Sequence, residues 1–249
     1  MGFGILEYGI LAYTRYGSYN RIGFDPSYIL VLIGMVLSLA ASAYVKSTFK
    51  KYSRVMCSRN ITGKDVAERI LNSQGIYDVS VHHISGDLTD HYHPTDKTVN
   101  LSDSVYGRNS VASIAVAAHE CGHAVQHNVG YQPIKWRTAV LPAANIGSKL
   151  SWVFIAVGLI FYGSMSMFLI KLGIVAFSFA VLFQVVTLPV EFNASSRALK
   201  ILKNDGILSN DETKMAAKVL RAAALTYVAS AATGFLQLAR LVMIANRRR

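Results

Sequence analysis

Residues 150–190, LSWVFIAVGLIFYGSMSMFLIKLGIVAFSFAVLFQVVTLPV, carry a single charged side chain, Lys171. On either side of it lie two apolar runs, Leu150–Ile170 and Leu172–Val190, and each is close to the ~20 residues that a helix needs to cross a ~30 Å hydrocarbon core. As one helix, at ~1.5 Å per residue, the stretch would extend to ~60 Å, enough for two crossings and too long for one. We therefore predict a transmembrane hairpin that turns between Gly163 and Gly173.

Two further uncharged runs lie outside this hairpin. Ser27–Val45 is long enough to form another span. Ala222–Ala239 is rich in alanine and ends at Arg240, so it predicts either a fourth span or a helix that packs in the membrane interface. Hydrophobic residues make up 52% of the chain and charged residues 16%, against ~25% charged in soluble domains. The composition predicts a mainly α-helical, multi-span membrane protein.

Basic residues beside the first span indicate its orientation. The positive side chains between the end of this span and the next acid, Asp65, are Lys46, Lys50, Lys51, Arg54, Arg59 and Lys64. The positive-inside rule then places the N-terminus outside and residue 46 onward in the cytoplasm. The formal charge of +11 indicates topology and contact with anionic lipid headgroups of the bilayer. Nucleic acid is not predicted as a partner, because no recognition motif accompanies the basic run.

The polar segments carry signals for a small α+β unit. Helix starts are indicated at Thr62 with Asp65 and at Ser209 with Glu212, strands at 79–84 and Thr98–Leu101, and a longer helix at 111–127. Two cysteines, Cys57 and Cys121, lie in the predicted cytosolic part, where a disulfide is not expected.

The predicted helix 111–127 contains the chemistry. Residues 119–123 read His-Glu-Cys-Gly-His, an H-E-x-x-H motif, and the spacing of four places His119 and His123 on one face, where they can bind a single ion. Zinc lowers the pKa of a bound water toward ~7, and Glu120 is placed to act as its general base. Cys121 falls on the opposite face and is not counted as a ligand.

A catalytic zinc needs a third protein ligand. The metzincin spacing would place a histidine at Val129, so that class is excluded. His127 lies one turn further on the same face, but three histidines of one straight helix surround an ion poorly. Glu191 is the first charged residue after the hairpin. The remaining candidates are the histidines that precede the helix, His82, His83, His91 and His93. The residues alone leave these alternatives open.

Four stretches, AHECGHAVQ (118–126), GY (130–131), LPAANIGS (141–148) and LPVEFNAS (188–195), resemble the bacterial neutral zinc metallopeptidases, the YugP-like membrane proteins. The likeness runs from Phe24 to about Leu241. The order of parts is also similar to that of the HtpX and CAAX prenyl protease group. The resemblance implies Glu191 as the third ligand, and so one zinc ion (Zn2+) in a gluzincin-like site with His119 and His123. The family usually has Asp where this chain has Asn193, and Asn cannot supply a charged carboxylate.

These observations together predict a multi-span helical membrane protein with a small cytosolic α+β, gluzincin-like zinc peptidase part. The predicted parts are an N-terminal extension (1–26), a first transmembrane helix (27–45), a cytosolic domain with the H-E-x-x-H helix (46–148), a transmembrane hairpin (149–190), a second cytosolic segment with the third ligand (191–225), and an apolar helix with a basic tail (226–249).

The predicted function is a membrane-embedded zinc endopeptidase that hydrolyses peptide or protein substrates with water activated by Glu120. The resemblance implies a bacterial protein, and the apolar runs and the charge pattern then predict a multi-pass protein of the inner membrane with its active site on the cytoplasmic side. One alternative is a non-catalytic zinc-binding scaffold, although structural zinc sites usually fill four positions, often with cysteine. Another alternative is a transporter, which would call for ionisable residues such as Asp, Glu, Lys or Arg inside the spans. The predicted spans Ser27–Val45, Leu150–Ile170 and Leu172–Val190 contain none of these.

The sequence offers a candidate strand for substrate binding and several candidate donors for the oxyanion. An extended peptide can add beside an edge strand near the metal, and Thr98–Leu101 is the candidate edge. Hydrolysis also needs a donor for the developing oxyanion. The candidates are His91, Tyr92, His93, Arg197 and Tyr227.

Overall fold

The computed structural model describes residues 25–161 and 163–247, so the predicted extension 1–26 lies almost wholly outside the described residues. Within these ranges the chain is mostly helical, with a small three-stranded sheet. The helices are α1 (Tyr28–Tyr52), α2 (Gly63–Ser73), α3 (Val111–Asn128), α4 (Gln132–Ile160), α5 (Ser164–Asn204) and α6 (Asn210–Arg247). The strands are β1 (Ser80–His83), β2 (His91–His93) and β3 (Thr98–Leu101).

Among the described residues, four helices are long and apolar enough to cross a membrane: α1, α4, α5 and α6. Their surfaces expose large apolar side chains such as Val36, Trp152 and Phe168, which is the exposure that lipid-facing helices need. The weakest candidate in the sequence, Ala222–Ala239, lies inside α6. The prediction of a mainly α membrane protein is confirmed.

The apolar hairpin consists of α4 and α5, but its turn lies earlier than predicted. Helix α4 ends at Ile160 and α5 begins at Ser164, so residues 164–173 are helical. Gly163 has a φ of 79°, a conformation in which glycine avoids the strain of a Cβ. Helix α4 also starts at Gln132, well before Leu150, because Pro133 favours the first turn and charged side chains such as Lys149 do not end a helix.

Small residues allow the membrane helices to approach closely. A Cβ on Gly147 of α4 would overlap the carbonyl oxygen of Ala176 in α5. Helix α1 is joined to α6 by a hydrogen bond between the hydroxyls of Ser38 and Thr233, at 3.1 Å, and Thr233 also donates to the carbonyl of Gly34. Close backbone approach and interhelical hydrogen bonds are the interactions that hold helices together in lipid.

The sheet has the order β1–β3–β2, with β1 parallel and β2 antiparallel to β3. The prediction that Thr98–Leu101 is an edge strand is therefore wrong, because this strand is paired on both sides. The strand beside the H-E-x-x-H helix is β2, whose Tyr92 backbone contacts Glu120. Strand β2 is too short to show an alternating pattern in the sequence. The sequence pattern therefore indicates only its longer neighbour, β3, as a candidate edge strand.

The polar part of the protein folds around α3, which is buried along nearly its whole length. Its core includes Ile70 of α2, Leu101 of β3, Ile114 of α3 and Leu202 at the end of α5. Both predicted capping boxes form: Thr62 with Asp65 begins α2, and Ser209 with Glu212 begins α6. The two cysteines, Cys57 and Cys121, are buried and free.

Candidate metal centre

Helices α3 and α5 bring together three side chains that could hold a metal ion. His119 and His123 lie one turn apart on α3, with their ring centroids 4.8 Å apart. Glu191 lies on α5, where it is 3% exposed. A Cβ on Gly122 would stand 2.6 Å from the carbonyl oxygen of Ala194, so the absence of a side chain at Gly122 allows the two helices to meet at this point.

The distances among these groups fit a zinc ion. The Nε2 atoms of His119 and His123 lie 3.3 and 3.5 Å from Oε2 of Glu191. Ligand atoms held ~2.05 Å from a tetrahedral ion are ~3.3 Å apart, from the geometry of the tetrahedron and the usual zinc bond lengths. Two imidazoles and one carboxylate also form a donor set of known catalytic zinc sites, which leave one position open. The residues present therefore fit the metal that the motif predicts.

The outer nitrogen of each imidazole has a hydrogen-bond partner, which fixes the direction of the ring. Nδ1 of His119 lies 3.1 Å from Oγ of Ser195, and Nδ1 of His123 lies 3.1 Å from Oε1 of Gln126. Such partners hold a metal-binding histidine in one orientation and one tautomer. Both Nε2 atoms are thereby directed at Glu191.

Gln126 sets the tautomer of His123. Its Nε2 donates to the carbonyl of Val190, at 2.7 Å, and to Oδ1 of Asn193, at 3.0 Å. A carbonyl oxygen can only accept, so this bond fixes the amide with Oε1 toward His123. Oε1 is also an acceptor only, and Nδ1 of His123 must carry the proton. The lone pair of His123 is then on Nε2, where a metal ligand requires it.

Asn193 acts through Gln126 and not on an imidazole. Its Oδ1 accepts from Gln126 and from Nε of Arg197, at 2.7 Å. An amide oxygen can accept both bonds, so this arrangement does not require the charged carboxylate that the family usually has at the position. Sequence reasoning missed Gln126, although its spacing of three from His123 on one helix placed the two side chains on adjacent turns.

Glu120 faces the same site and is held from the other side. Its Oε2 accepts the backbone N–H of Tyr92 in β2, at 3.0 Å, and the residue is 8% exposed. The N–H of Tyr92 therefore points away from β3 and toward the site. Cys121, the next residue, points the other way and contacts the carbonyl of Ala67 in α2.

A cleft of about 430 Å³ opens over His119, Glu120, His123 and Glu191. Some of the other histidines that the sequence offered as third ligand also line it. His127, His91 and His93 line it, whereas His82 and His83 do not belong to the lining. His91 and His93 are exposed and bonded to the neighbouring Thr89 carbonyl and Asp96. The ring of His127 packs on Tyr92 at 5.5 Å.

Four of the five residues that were candidates for the oxyanion donor also line this cleft. His91, Tyr92, His93 and Tyr227 line the cleft. Arg197 does not: it bonds Asn193 and lies 5.7 Å from the ring of Tyr131. Arg137 of α4 lines the cleft and was not predicted, because the hairpin predicted from the sequence begins only at residue 149, after Arg137.

The pKa values of His123 and His127 are shifted in opposite directions. Burial lowers the pKa of His123, but hydrogen bonding to Glu191 and the charges of Glu120 and Glu191 more than offset this, so its pKa is raised. Burial lowers the pKa of His127, and the neighbouring charges of His123 and Arg137 lower it further. In the metal-free protein His127 therefore loses its proton at a lower pH than an ordinary histidine, and His123 at a higher pH.

Comparison with known proteins identifies the class. The sequence model of the family described as "Putative neutral zinc metallopeptidase" matches residues 27–246, and the chain belongs to this family. The resemblance noted in the sequence is confirmed. The chain is also 47% identical over 218 residues to the "Putative membrane protease YugP" of Bacillus subtilis (strain 168), with 86% of this chain and 94% of that protein covered. No solved structure matches the chain.

Proposed function

We propose that this chain is a zinc-dependent endopeptidase embedded in the bacterial inner membrane, with one ion held by His119, His123 and Glu191 and with Glu120 as general base. The observation that carries the proposal is the convergence of those three side chains, 3.3 and 3.5 Å apart, beside a buried glutamate that is not one of them. A structural site would use its fourth position for a protein ligand, and the described residues offer three.

A bound zinc ion would lower the pKa of a water molecule and polarise the carbonyl of the scissile bond. Glu120 accepts the proton of the attacking water and delivers it to the leaving nitrogen, because its carboxylate borders the cleft beside His119. The Tyr92 N–H holds that carboxylate in place until substrate arrives. Gln126 and Ser195 keep both imidazoles directed at the ion.

The free edge of β2 is the surface on which a peptide substrate is expected to bind. β2 pairs with β3 through His91 and His93, so the backbone of Tyr92 faces the cleft. An extended peptide laid along this edge would pass over Glu120 with its backbone groups within reach of Tyr92. Tyr227 and Arg137 also line the cleft, and their side chains carry donors that an oxyanion could accept.

The site lies at the end of the membrane helices, and the charge pattern favours the cytoplasmic side. Helix α1 carries Lys50 and Lys51 in its last turn. By the positive-inside rule this end of α1 is cytoplasmic. Phe49, one turn from that end, packs on the core that surrounds α3, so the catalytic cleft belongs on the same side.

The test compares zinc content and peptidase activity of the purified chain with those of Glu120→Gln. The amide has nearly the same shape but cannot accept the proton, so zinc content should be unchanged and hydrolysis of unfolded casein should fall ~10²-fold or more. Glu68→Gln, at an exposed position of α2, is the matched control and should behave as wild type. Wild-type rates from Glu120→Gln, or no hydrolysis by zinc-loaded wild type, would contradict the proposal; the second result would favour a scaffold.

A further inference from the structure

A second cavity, of about 230 Å³, adjoins the metal centre, and His119 and Glu120 are among the residues that line it. Most of its wall comes from three helices: Val45 and Phe49 of α1, Val116 of α3, and Val219, Leu220 and Ala223 of α6. Leu88 and Asp90, which lie between β1 and β2, complete it. The cavity is therefore apolar over most of its surface. Its wall residue Thr226 donates its hydroxyl to the carbonyl of Ala223, which leaves that group little to offer a ligand.

This apolar cavity opens onto the reacting groups. His119, Glu120, Asp90 and Tyr227 border both it and the catalytic cleft. A side chain that enters the cavity must therefore belong to a residue within reach of Glu120. In an extended peptide laid across the cleft, the residues that meet this condition are those on either side of the scissile bond.

Size and polarity limit what the cavity can take. A cavity of roughly 150 Å³ with apolar walls accommodates a benzene molecule, so 230 Å³ has room for a leucine or phenylalanine side chain. An acidic side chain would lose its water on entering and would meet the carboxylates of Asp90 and Glu120. An alanine would leave most of the cavity unfilled and forgo the apolar burial.

We propose that this apolar cavity is the specificity pocket of the peptidase and that it receives a large apolar side chain of one residue flanking the cleaved bond. The inference rests on the proposed function and deepens it, because it names the class of peptide that is cleaved. Discrimination per apolar group in such pockets is modest, so exchanging leucine or phenylalanine for alanine should lower kcat/KM about 10- to 200-fold.

The experiment uses the zinc-loaded full chain in detergent, with unfolded casein digested and its cleavage sites read by mass spectrometry. One cleaved site is then remade as a set of fluorogenic peptides that carry Phe, Leu, Ala or Asp at the flanking position. Ala223→Leu fills the cavity and should shift the kcat/KM ratio of Phe to Ala peptides toward alanine by about tenfold or more. Ala43→Leu makes the same change on an exposed face of α1 and should leave the ratio as in wild type.

Val116→Ala enlarges the same cavity and should shift the ratio in the opposite direction, which provides a second variant if Ala223→Leu folds poorly. Wild-type hydrolysis with no preference for large apolar residues, or ratios unchanged in the cavity variants, would overturn the specificity pocket while leaving the peptidase intact. The second outcome would assign the cavity to a lipid or detergent chain. Absence of any wild-type hydrolysis would instead overturn the proposed function and this inference with it.

Discussion

Gly122 of α3 lies against the backbone of Ala194 in α5, so closely that a Cβ on Gly122 would stand 2.6 Å from the Ala194 carbonyl oxygen. Gly122 precedes His123 by one residue, and Ala194 follows Glu191 by three. The contact therefore sets the separation of the two helices at the height of the metal-binding atoms. The second variable position of the H-E-x-x-H motif, Gly122, is therefore restricted in this chain by packing.

Gly122→Ala should displace α3 from α5 and weaken the metal centre. Backbone atoms cannot move aside as a flexible side chain can, so the added methyl should cost about 1–3 kcal/mol of stability and lower zinc occupancy. Zinc per protein and the thermal midpoint are the measurements. Gly107→Ala is the control, since nothing lies within 4 Å of a Cβ there. Full zinc occupancy in Gly122→Ala would show that the helices tolerate a wider separation.

Glu191→Ala should remove the metal, whereas His127→Ala should retain it. Without Glu191 the ion keeps two imidazoles from one helix, and no group from α5 replaces the carboxylate 3.3 and 3.5 Å from them. His127 packs on Tyr92 and is not one of the three converging groups. Zinc per protein measured for both variants decides between them. Loss of metal from His127→Ala and retention by Glu191→Ala would exclude the proposed ligand set.

Gln126→Met should weaken zinc binding although Gln126 touches no metal. The substitution keeps the length of the side chain but removes the acceptor for Nδ1 of His123 and the bond to Val190. Loss of such a partner typically costs 10- to 100-fold in metal affinity. A chelator competition titration measures it, with Gln132→Met at an exposed position as control. Equal affinities for the two variants would mean that packing alone holds the His123 ring.

Zinc affinity should fall as the pH is lowered, and the fall should begin at a pH above the ordinary pKa range of histidine. In the metal-free protein burial lowers the pKa of His123, but hydrogen bonding to Glu191 together with the charges of Glu120 and Glu191 more than offsets this, so the pKa is raised. Zinc must displace that proton, so its binding is complete above the raised pKa and is lost as pH falls through it, by up to ~tenfold per pH unit for one proton. Competition titrations at pH 8, 7 and 6, corrected for the chelator, measure this. A Kd that is flat from pH 8 to 6 would contradict it.

The sequence predicted the elements that carry strong local signals. The caps at Thr62 and Ser209 and the helix from Val111 follow from short-range hydrogen bonding and periodicity, and all three are found. The hairpin was predicted by its uncharged length, but its limits were not. Composition locates only the apolar part of a helix. Helix α4 extends beyond that part, through charged residues back to Gln132, because a charged side chain does not end a helix.

Long-range pairing lay beyond such signals. Strand Thr98–Leu101 was predicted correctly, yet its central place depends on β2, whose three residues carry no pattern of their own. The site was predictable in part for the same reason. The H-E-x-x-H motif names two histidines and a glutamate, and family resemblance added Glu191, while the bonds of Gln126 to Val190 and Asn193 exist only because α3 and α5 pack together.

Cysteine labelling should place the hairpin turn and the catalytic part on opposite sides of the membrane. The basic residues after α1 predict that Arg59 is cytoplasmic, and α4 begins on that side, so the turn at Phe161 should lie outside. Cys57 and Cys121 are buried, which gives the wild-type chain a low background for a membrane-impermeant thiol reagent. In intact cells Phe161→Cys, at a position 52% exposed, should react. Arg59→Cys should react only after the cells are opened. Reaction of Arg59→Cys but not of Phe161→Cys in intact cells would reverse the proposed orientation, and reaction of both would mean that α4 does not cross the membrane.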